Sequence, residues 1–242
     1  MQAKKRLGII GGMGPVATSY FFSRLVQLTS AKTDQEYIET FIHNNSQVPD
    51  RTEGILHGKE SPLPQLKRSV ALLNDVGVDY IVFACITAHY FIPELQKSSK
   101  AKIIDGIVET ARYIKDRLDH VKKVGILAST GTLKVGIFQN KLGYMGIESI
   151  LLNDKDQQMY FMDPVYQDWG IKAGNTTGQP MEMMLKGADI LLEQGSEAII
   201  AGCTEVPLVV RQRDLPVPLI DTIEIIVKAA IDQCLGNVTD HL

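Results

Sequence analysis

Gly77-Val-Asp-Tyr-Ile-Val-Phe-Ala-Cys85-Ile-Thr87 runs from a glycine through an apolar stretch to a cysteine, with threonine two positions on. The order recurs at Gly195-Ser-Glu-Ala-Ile-Ile-Ala-Gly-Cys203-Thr204-Glu205, and in both segments the cysteine stands eight residues beyond the glycine. A short apolar run bounded by turn residues reads as a strand buried on both faces, as in a parallel sheet. Each cysteine then lies at the carboxyl end of a strand.

The surroundings of the two segments also match. Ser61-Pro-Leu-Pro opens a helix with apolar positions Leu66, Val70, Leu72 and Leu73 that ends near Gly77, as proline near the start and glycine after the end predict. Farther upstream, Arg6 to Gly11 is a strand meeting a glycine turn, Ala17 to Ser30 has helical spacing, and Tyr37 to His43 alternates like a strand before a polar loop, Asn44 to Arg51. The second half repeats this with a strand Lys123 to Ala128, the turn Ser129-Thr-Gly-Thr132, a strand Ile147 to Leu152 and a helix Met181 to Gln194. The distance from Gly8 to Cys85 is 77 positions and from Gly125 to Cys203 it is 78. After each cysteine comes another short strand ending in aspartate, at Asp105 and at Asp221.

Landmarks repeating in order at near-constant offset predict an internal duplication, with a period too long for a solenoid. The expected fold is α/β, with two similar domains, each a parallel sheet flanked by helices. The domains are expected to be residues 1–103 with 219–242, and residues 104–218, related by a pseudo-twofold with the active site between them. Ligands of such sheets bind beyond the carboxyl ends of the strands. Both cysteines, both glycine turns and the Asn44 to Arg51 loop fall at that edge.

Bulk composition removes several function classes. Hydrophobic residues make up 45% and charged residues 22% of 242, with a net charge of −3, so neither disorder nor a nucleic-acid-binding surface is expected. No apolar stretch approaches the roughly 20 residues of a membrane span. The basic start breaks at Gly11-Gly12, too soon for a signal peptide, and a cytoplasmic location is expected. Three cysteines without C-x-x-C or clustered histidine predict reduced thiols and no metal site.

Gly12-Met13-Gly14-Pro15-Val16-Ala17 formally fits a dinucleotide fingerprint. His43-Asn44-Asn45 stands where the acidic ribose ligand is required, and Pro15 removes an amide from the phosphate nest. The turn suits a small carboxylate instead. Cys85 and Cys203, each followed by hydroxyl residues at an expected helix start, are candidate thiolates. His89 is a candidate for tuning Cys85 or for packing; Glu205 is either an acid that raises its neighbour's pKa or a first-turn helix acid. Arg51 and Lys172 could clamp a carboxylate or be solvated. Tyr166 and Trp169 read as lid or core, and Cys234 as an inert core thiol.

Together these residues resemble the aspartate/glutamate racemase family. The matching pieces are Gly11-Gly-Met13-Gly14-Pro15-x-Ala17-Thr18, Pro49-Asp-Arg51, Cys85-x-Thr87-Ala-His89, Ser129-Thr130-Gly131-Thr132, Gly170-Ile-Lys172-Ala-Gly174 and Gly202-Cys203-Thr204-Glu205-x-Pro207-Leu208. The resemblance implies a homodimeric racemase of acidic amino acids, aspartate or glutamate, with no cofactor and no metal. It implies that Cys85 and Cys203 are the catalytic pair. It further implies that Met13, Gly14, Thr87, Thr130, Gly131, Thr132 and Thr204 line the α-amino-carboxylate site, with Arg51 and Lys172 on the side-chain carboxylate. The family usually has asparagine after the first cysteine, where this chain has Ile86. Two alternatives stay open: an isomerase or decarboxylase of another small diacid on the same scaffold, and a non-catalytic binding protein for an acidic amino acid.

Overall fold

Among residues 4–236, which a computed structural model describes, eight strands form two four-stranded sheets, and every strand pairing is parallel. The first sheet contains β1 (Leu7–Gly11), β2 (Thr40–Asn44), β3 (Tyr80–Phe83) and β4 (Lys102–Ile103) in the order β2-β1-β3-β4. The second contains β5 (Lys123–Leu127), β6 (Glu148–Ile150), β7 (Ala198–Ala201) and β8 (Leu219–Asp221) in the order β6-β5-β7-β8. The duplication predicted from spacing is thus a duplication of topology.

The chain divides into one unit of Met1–Glu109 with Ile223–Leu242 and another of Thr110–Thr222. Both divisions lie later than the expected ones. Leu219–Asp221, placed with the first domain by its sequence, is β8 and hydrogen-bonds to β7, so the chain returns to the first unit only after Thr222. Likewise the first unit runs past β4 into the helix Gly106–Arg117.

Small glycines let the helices approach the central strands. A Cβ on Gly8 would lie 2.7 Å from Leu73 Cδ1, and one on Gly125 would lie 2.9 Å from Leu191 Cβ and 2.7 Å from Ile199 Cδ1. Leu73 belongs to the helix Leu63–Val76 and Leu191 to the helix Gln179–Glu193, the elements that precede β3 and β7. Both helices begin with proline in the first turn and stop at a left-handed glycine, Gly77 (φ 70°) or Gly195 (φ 92°). There Val78 N–H bonds Leu73 O, and Ser196 N–H bonds Leu191 O, the closing bond of a Schellman turn. Equivalent leucines, glycines and closing bonds therefore aim β3 and β7.

The other differences are local. The helix expected from Ala17 spans Pro15–Leu28 because proline fits its first turn. The strand expected from Tyr37 starts at Thr40, after a 3-10 turn at Asp34–Glu36. The polar loop is shorter than expected, since Asn44 ends β2 and Arg51 opens a helix.

Two substitutions separate backbone conformation from packing. Gly195→Ala places its methyl in open space and is expected to cost about 1 kcal/mol from the left-handed conformation alone. Gly125→Ala is expected to cost more, roughly 2–3 kcal/mol, because its methyl overlaps the helix. Urea unfolding of the two variants checks this, and equal losses would contradict the packing role of Gly125.

Candidate active site

In an open parallel sheet, a crevice forms where connections leave adjacent strands toward opposite faces. The strand orders place that point between β1 and β3 in the first unit and between β5 and β7 in the second. The segments at these points are Gly11 to Gly14 with Cys85, and Ser129 to Thr132 with Cys203. One backbone bond fixes each thiol's place. Ala84 N–H donates to Ile10 O at 3.0 Å, and Gly202 N–H donates to Leu127 O at 2.8 Å. The next residue in each case is the cysteine. Cys85 is 6% and Cys203 7% exposed.

In the first unit the glycine turn is rigid. Gly12 has φ +89°, and its missing Cβ would lie 2.3 Å from the Asn45 carbonyl carbon. Thr18 Oγ1 accepts from Gly12 N–H and donates to Gly14 O, both at 2.9 Å, so the Gly12 amide is committed to the fold. Arg51, expected in a polar loop as either a carboxylate clamp or a solvated side chain, is buried at the start of the helix Arg51–Leu56. Its guanidinium donates to Met13 O at 2.9 Å and to Pro49 O at 3.0 Å. This unites Met13, Gly14 and Arg51 in one cluster, with one guanidinium nitrogen bonded to the glycine turn and the other to the loop that precedes the helix.

His89 holds the Cys85 turn by its backbone. Its Nδ1 lies 3.1 Å from both Cys85 O and Ile86 O, so Nδ1 carries the proton and donates to the two carbonyls. Nε2 is buried, and a Cβ on Gly106 would come within 2.9 Å of it. Burial lowers the His89 pKa, outweighing the opposing Asp105 charge and the two carbonyl bonds. His89 is therefore a neutral clamp, not a cation that stabilises a thiolate. Ile86 is 1% exposed and contributes no side-chain donor. Thr87, also buried, opens a 3-10 turn over Thr87–Phe91.

In the second unit the surroundings are charged. Cys203 Sγ donates to Glu205 Oε2 at 2.9 Å, Thr204 Oγ1 donates to the same oxygen at 3.2 Å, and Lys172 Nζ donates to Glu205 Oε1 at 2.7 Å. Lys172 also lies over the Tyr166 ring, 5.4 Å from its centre. Burial pushes the Cys203 thiol well above its ordinary value, and the Glu205 charge adds to this against the pull of Lys172. Burial pushes Glu205 upward too. The Lys172 charge and the bonds from Cys203, Lys172 and Thr204 overcome that and hold its carboxyl below the usual range.

The expectation that helix dipoles favour thiolate at both cysteines fails for Cys203. The helix after it, Val206–Val209, has only four residues, too few aligned peptides to offset burial beside a carboxylate. Thr130, Gly131 and Thr132 form the short helix Thr130–Lys134, capped by Ser129 Oγ accepting from Thr132 N–H.

Sequence reasoning missed four supporting residues: Asn45, Gln157, Met162 and Asp50. Asn45 is buried against the Gly12 turn and donates to Ser69 Oγ. Gln157 donates to Ala128 O, and Met162 Sδ accepts from Thr130 N–H. Asp50 caps the Arg51 helix by accepting from Glu53 N–H. The Asp-x-x-Glu pattern at 50–53 was a readable capping signal; Gln157 and Met162 had none. Cys234 lies apart, its thiol pushed up to about 12 by burial and the Asp79 charge. Among the described residues, no group of three or more His, Cys, Asp or Glu could hold a metal ion, and no helix is long and apolar enough to cross a membrane.

A family model for Asp/Glu/hydantoin racemases matches residues 10–230. The chain is 25% identical over 234 residues to the broad specificity amino-acid racemase RacX of Bacillus subtilis, covering 95% of this chain and 98% of that protein. The solved structure of Picrophilus torridus aspartate racemase superposes with a TM-score of 0.85 at 28% identity, over 95% of this chain and 94% of that one. Glutamate racemase of Aquifex aeolicus is 27% identical over 158 residues, 65% of this chain and 58% of that protein.

Two measurements test the charged cluster. In Glu205→Gln the anion that raises Cys203 is gone while Lys172 remains, so iodoacetamide should alkylate Cys203 faster near about pH 8, by about tenfold per unit of lowered pKa. Peptide mapping reads this, and an unchanged or slower rate would contradict the assignment. Glu205 also stabilises the fold with a definite sign. A lowered carboxyl contributes above its unfolded value of 4.5, and the contribution is lost as pH falls through the folded value. The urea midpoint should therefore fall less steeply between about pH 5 and about pH 3 in Glu205→Gln than in the unaltered protein.

Proposed function

Because this chain belongs to the Asp/Glu/hydantoin racemase family, we propose that it racemises an acidic amino acid, aspartate or glutamate, by cofactor-independent proton transfer between two thiols. The observation that carries this reading is the repetition of one thiol position, with one pinning bond, at the switch points of two sheets of identical topology. Relatives named for aspartate, glutamate and broad-specificity amino-acid racemisation support an α-amino-acid substrate.

In the proposed reaction, Cys85 as thiolate removes the Cα proton from one face. Cys203, which rests as a thiol bonded to Glu205, delivers its proton to the other. Cys85 ends protonated, Cys203 ends as thiolate, and the opposite enantiomer runs the steps in reverse. An ordinary thiol, with a pKa of about 8.5, is only a few per cent ionised at pH 7. Unlike protonation states for the two sulfurs are therefore what a one-way transfer requires.

Cα is a far weaker acid than a thiol, so charge developing on the α-carboxylate must be stabilised. The hydroxyls of Thr87, Thr130 and Thr132 and the amides of Met13, Gly14 and Gly131 are assigned to it, each donor contributing roughly 3 kcal/mol in a water-poor site, while Thr204 lines the site with its hydroxyl proton given to Glu205. Ile86 leaves that work to Thr87 and the amides. Arg51 and Lys172 are assigned to the side-chain carboxylate.

Exchange of Cα–H for deuterium, followed by NMR for both enantiomers of aspartate and glutamate, tests the proposal. The unaltered protein should exchange at least one enantiomeric pair. Cys85→Ser and Cys203→Ser should each lose racemisation by about a thousandfold or more. No exchange in the unaltered protein, or full activity in either variant, would overturn it.

A further inference from the structure

We propose that Glu205 is a specificity-determining residue: by holding Lys172 in a fixed ion pair it offsets the charge offered to the substrate side chain and narrows the preference for an anionic over a neutral one. This rests on the racemase reading above. The ion pair is built into the second unit. Lys172 sits in a 3-10 turn, Ile171–Ala173, anchored by the fully buried Ile171. Behind it, a Cβ on Gly170 would lie 2.7 Å from Pro164 O, and Gly174 closes the turn at φ +98°. Glu205, 3% exposed, receives hydrogen bonds from Lys172, Cys203 and Thr204. Its backbone follows β7 directly into the helix Val206–Val209. Neither partner has to move for the pair to form, and the Tyr166 face supports the ammonium.

A substrate carboxylate approaching Lys172 therefore meets an ammonium already matched by a carboxylate 2.7 Å from it. Attraction to one charge is offset by repulsion from the other, and only the surplus favours the anion. A carboxamide of the same shape accepts a hydrogen bond from Lys172 without that repulsion. Discrimination between an acidic amino acid and its amide is thereby compressed, although a lysine stands ready for the acid.

Aspartate and asparagine differ in this charge and scarcely in shape, so the ratio of their kcat/KM values for Cα–H exchange isolates the effect. Any influence of Glu205 on Cys203 acts on both substrates and cancels. In Glu205→Gln the aspartate-to-asparagine ratio should rise about tenfold or more over that of the unaltered protein. In Lys172→Gln, which leaves Glu205 facing the substrate uncompensated, it should fall by a similar factor. A ratio that stays put or moves the other way in either folded variant overturns the proposal, while the racemase reading stands. Absence of exchange with every amino acid in the unaltered protein overturns both.

Discussion

The position of each thiol depends on one hydrogen bond that extends a parallel ladder by a residue. Ala84 N–H reaches Ile10 O, and Gly202 N–H reaches Leu127 O. In both units the backbone just before the cysteine is therefore held by the end of the central strand, and the cysteine is the first residue free of the ladder. The ladder can hold that place because helices press closely on β1 and β5 over Gly8 and Gly125. A Cβ at Gly125 would overlap Leu191 Cβ at the root of its side chain on the helix, and one at Gly8 would displace the tip of Leu73, so a side chain at either glycine disturbs the packing over the central strand. Backbone pairing and the absence of two methyl groups thus locate the chemistry.

On this common frame the two units place different chemistry around the sulfurs. Near Cys85 the attendant group is a neutral imidazole bound to carbonyls, which fixes geometry and supplies no charge. Near Cys203 it is a buried carboxylate that accepts the thiol proton's hydrogen bond and is balanced by Lys172. A two-fold repeat in backbone with a one-fold arrangement of charge suits a reaction in which one sulfur must be protonated while the other is not. Removing Glu205 would disturb both the proton held on Cys203 and the charge that Lys172 presents; only the second distinguishes one substrate from another.

Much of this was legible in the chain. Strand identity, the duplicated plan and both thiol positions follow from glycine stops, apolar runs and their offsets, because these features set strand and turn geometry locally. What the chain did not disclose depends on tertiary contact. Arg51 sits among polar residues, yet it is buried because its guanidinium bonds the carbonyl of Met13, distant in sequence. The salt bridge of Lys172 to Glu205 joins residues 33 positions apart, and nothing in either motif announces the other. The return of the chain to the first unit after Thr222 is set by β8 pairing with β7, a choice that the short apolar run at 217–221 does not reveal.

The central claim, that two sulfurs serve opposite faces of one carbon, is tested most directly by racemisation in deuterium oxide with the enantiomers separated and weighed early in the reaction. Two acids on opposite faces should give product that carries deuterium at Cα while the remaining substrate enantiomer stays unlabelled. Equal deuterium in both enantiomers at early times would mean that a single group handles both faces, and would contradict the account.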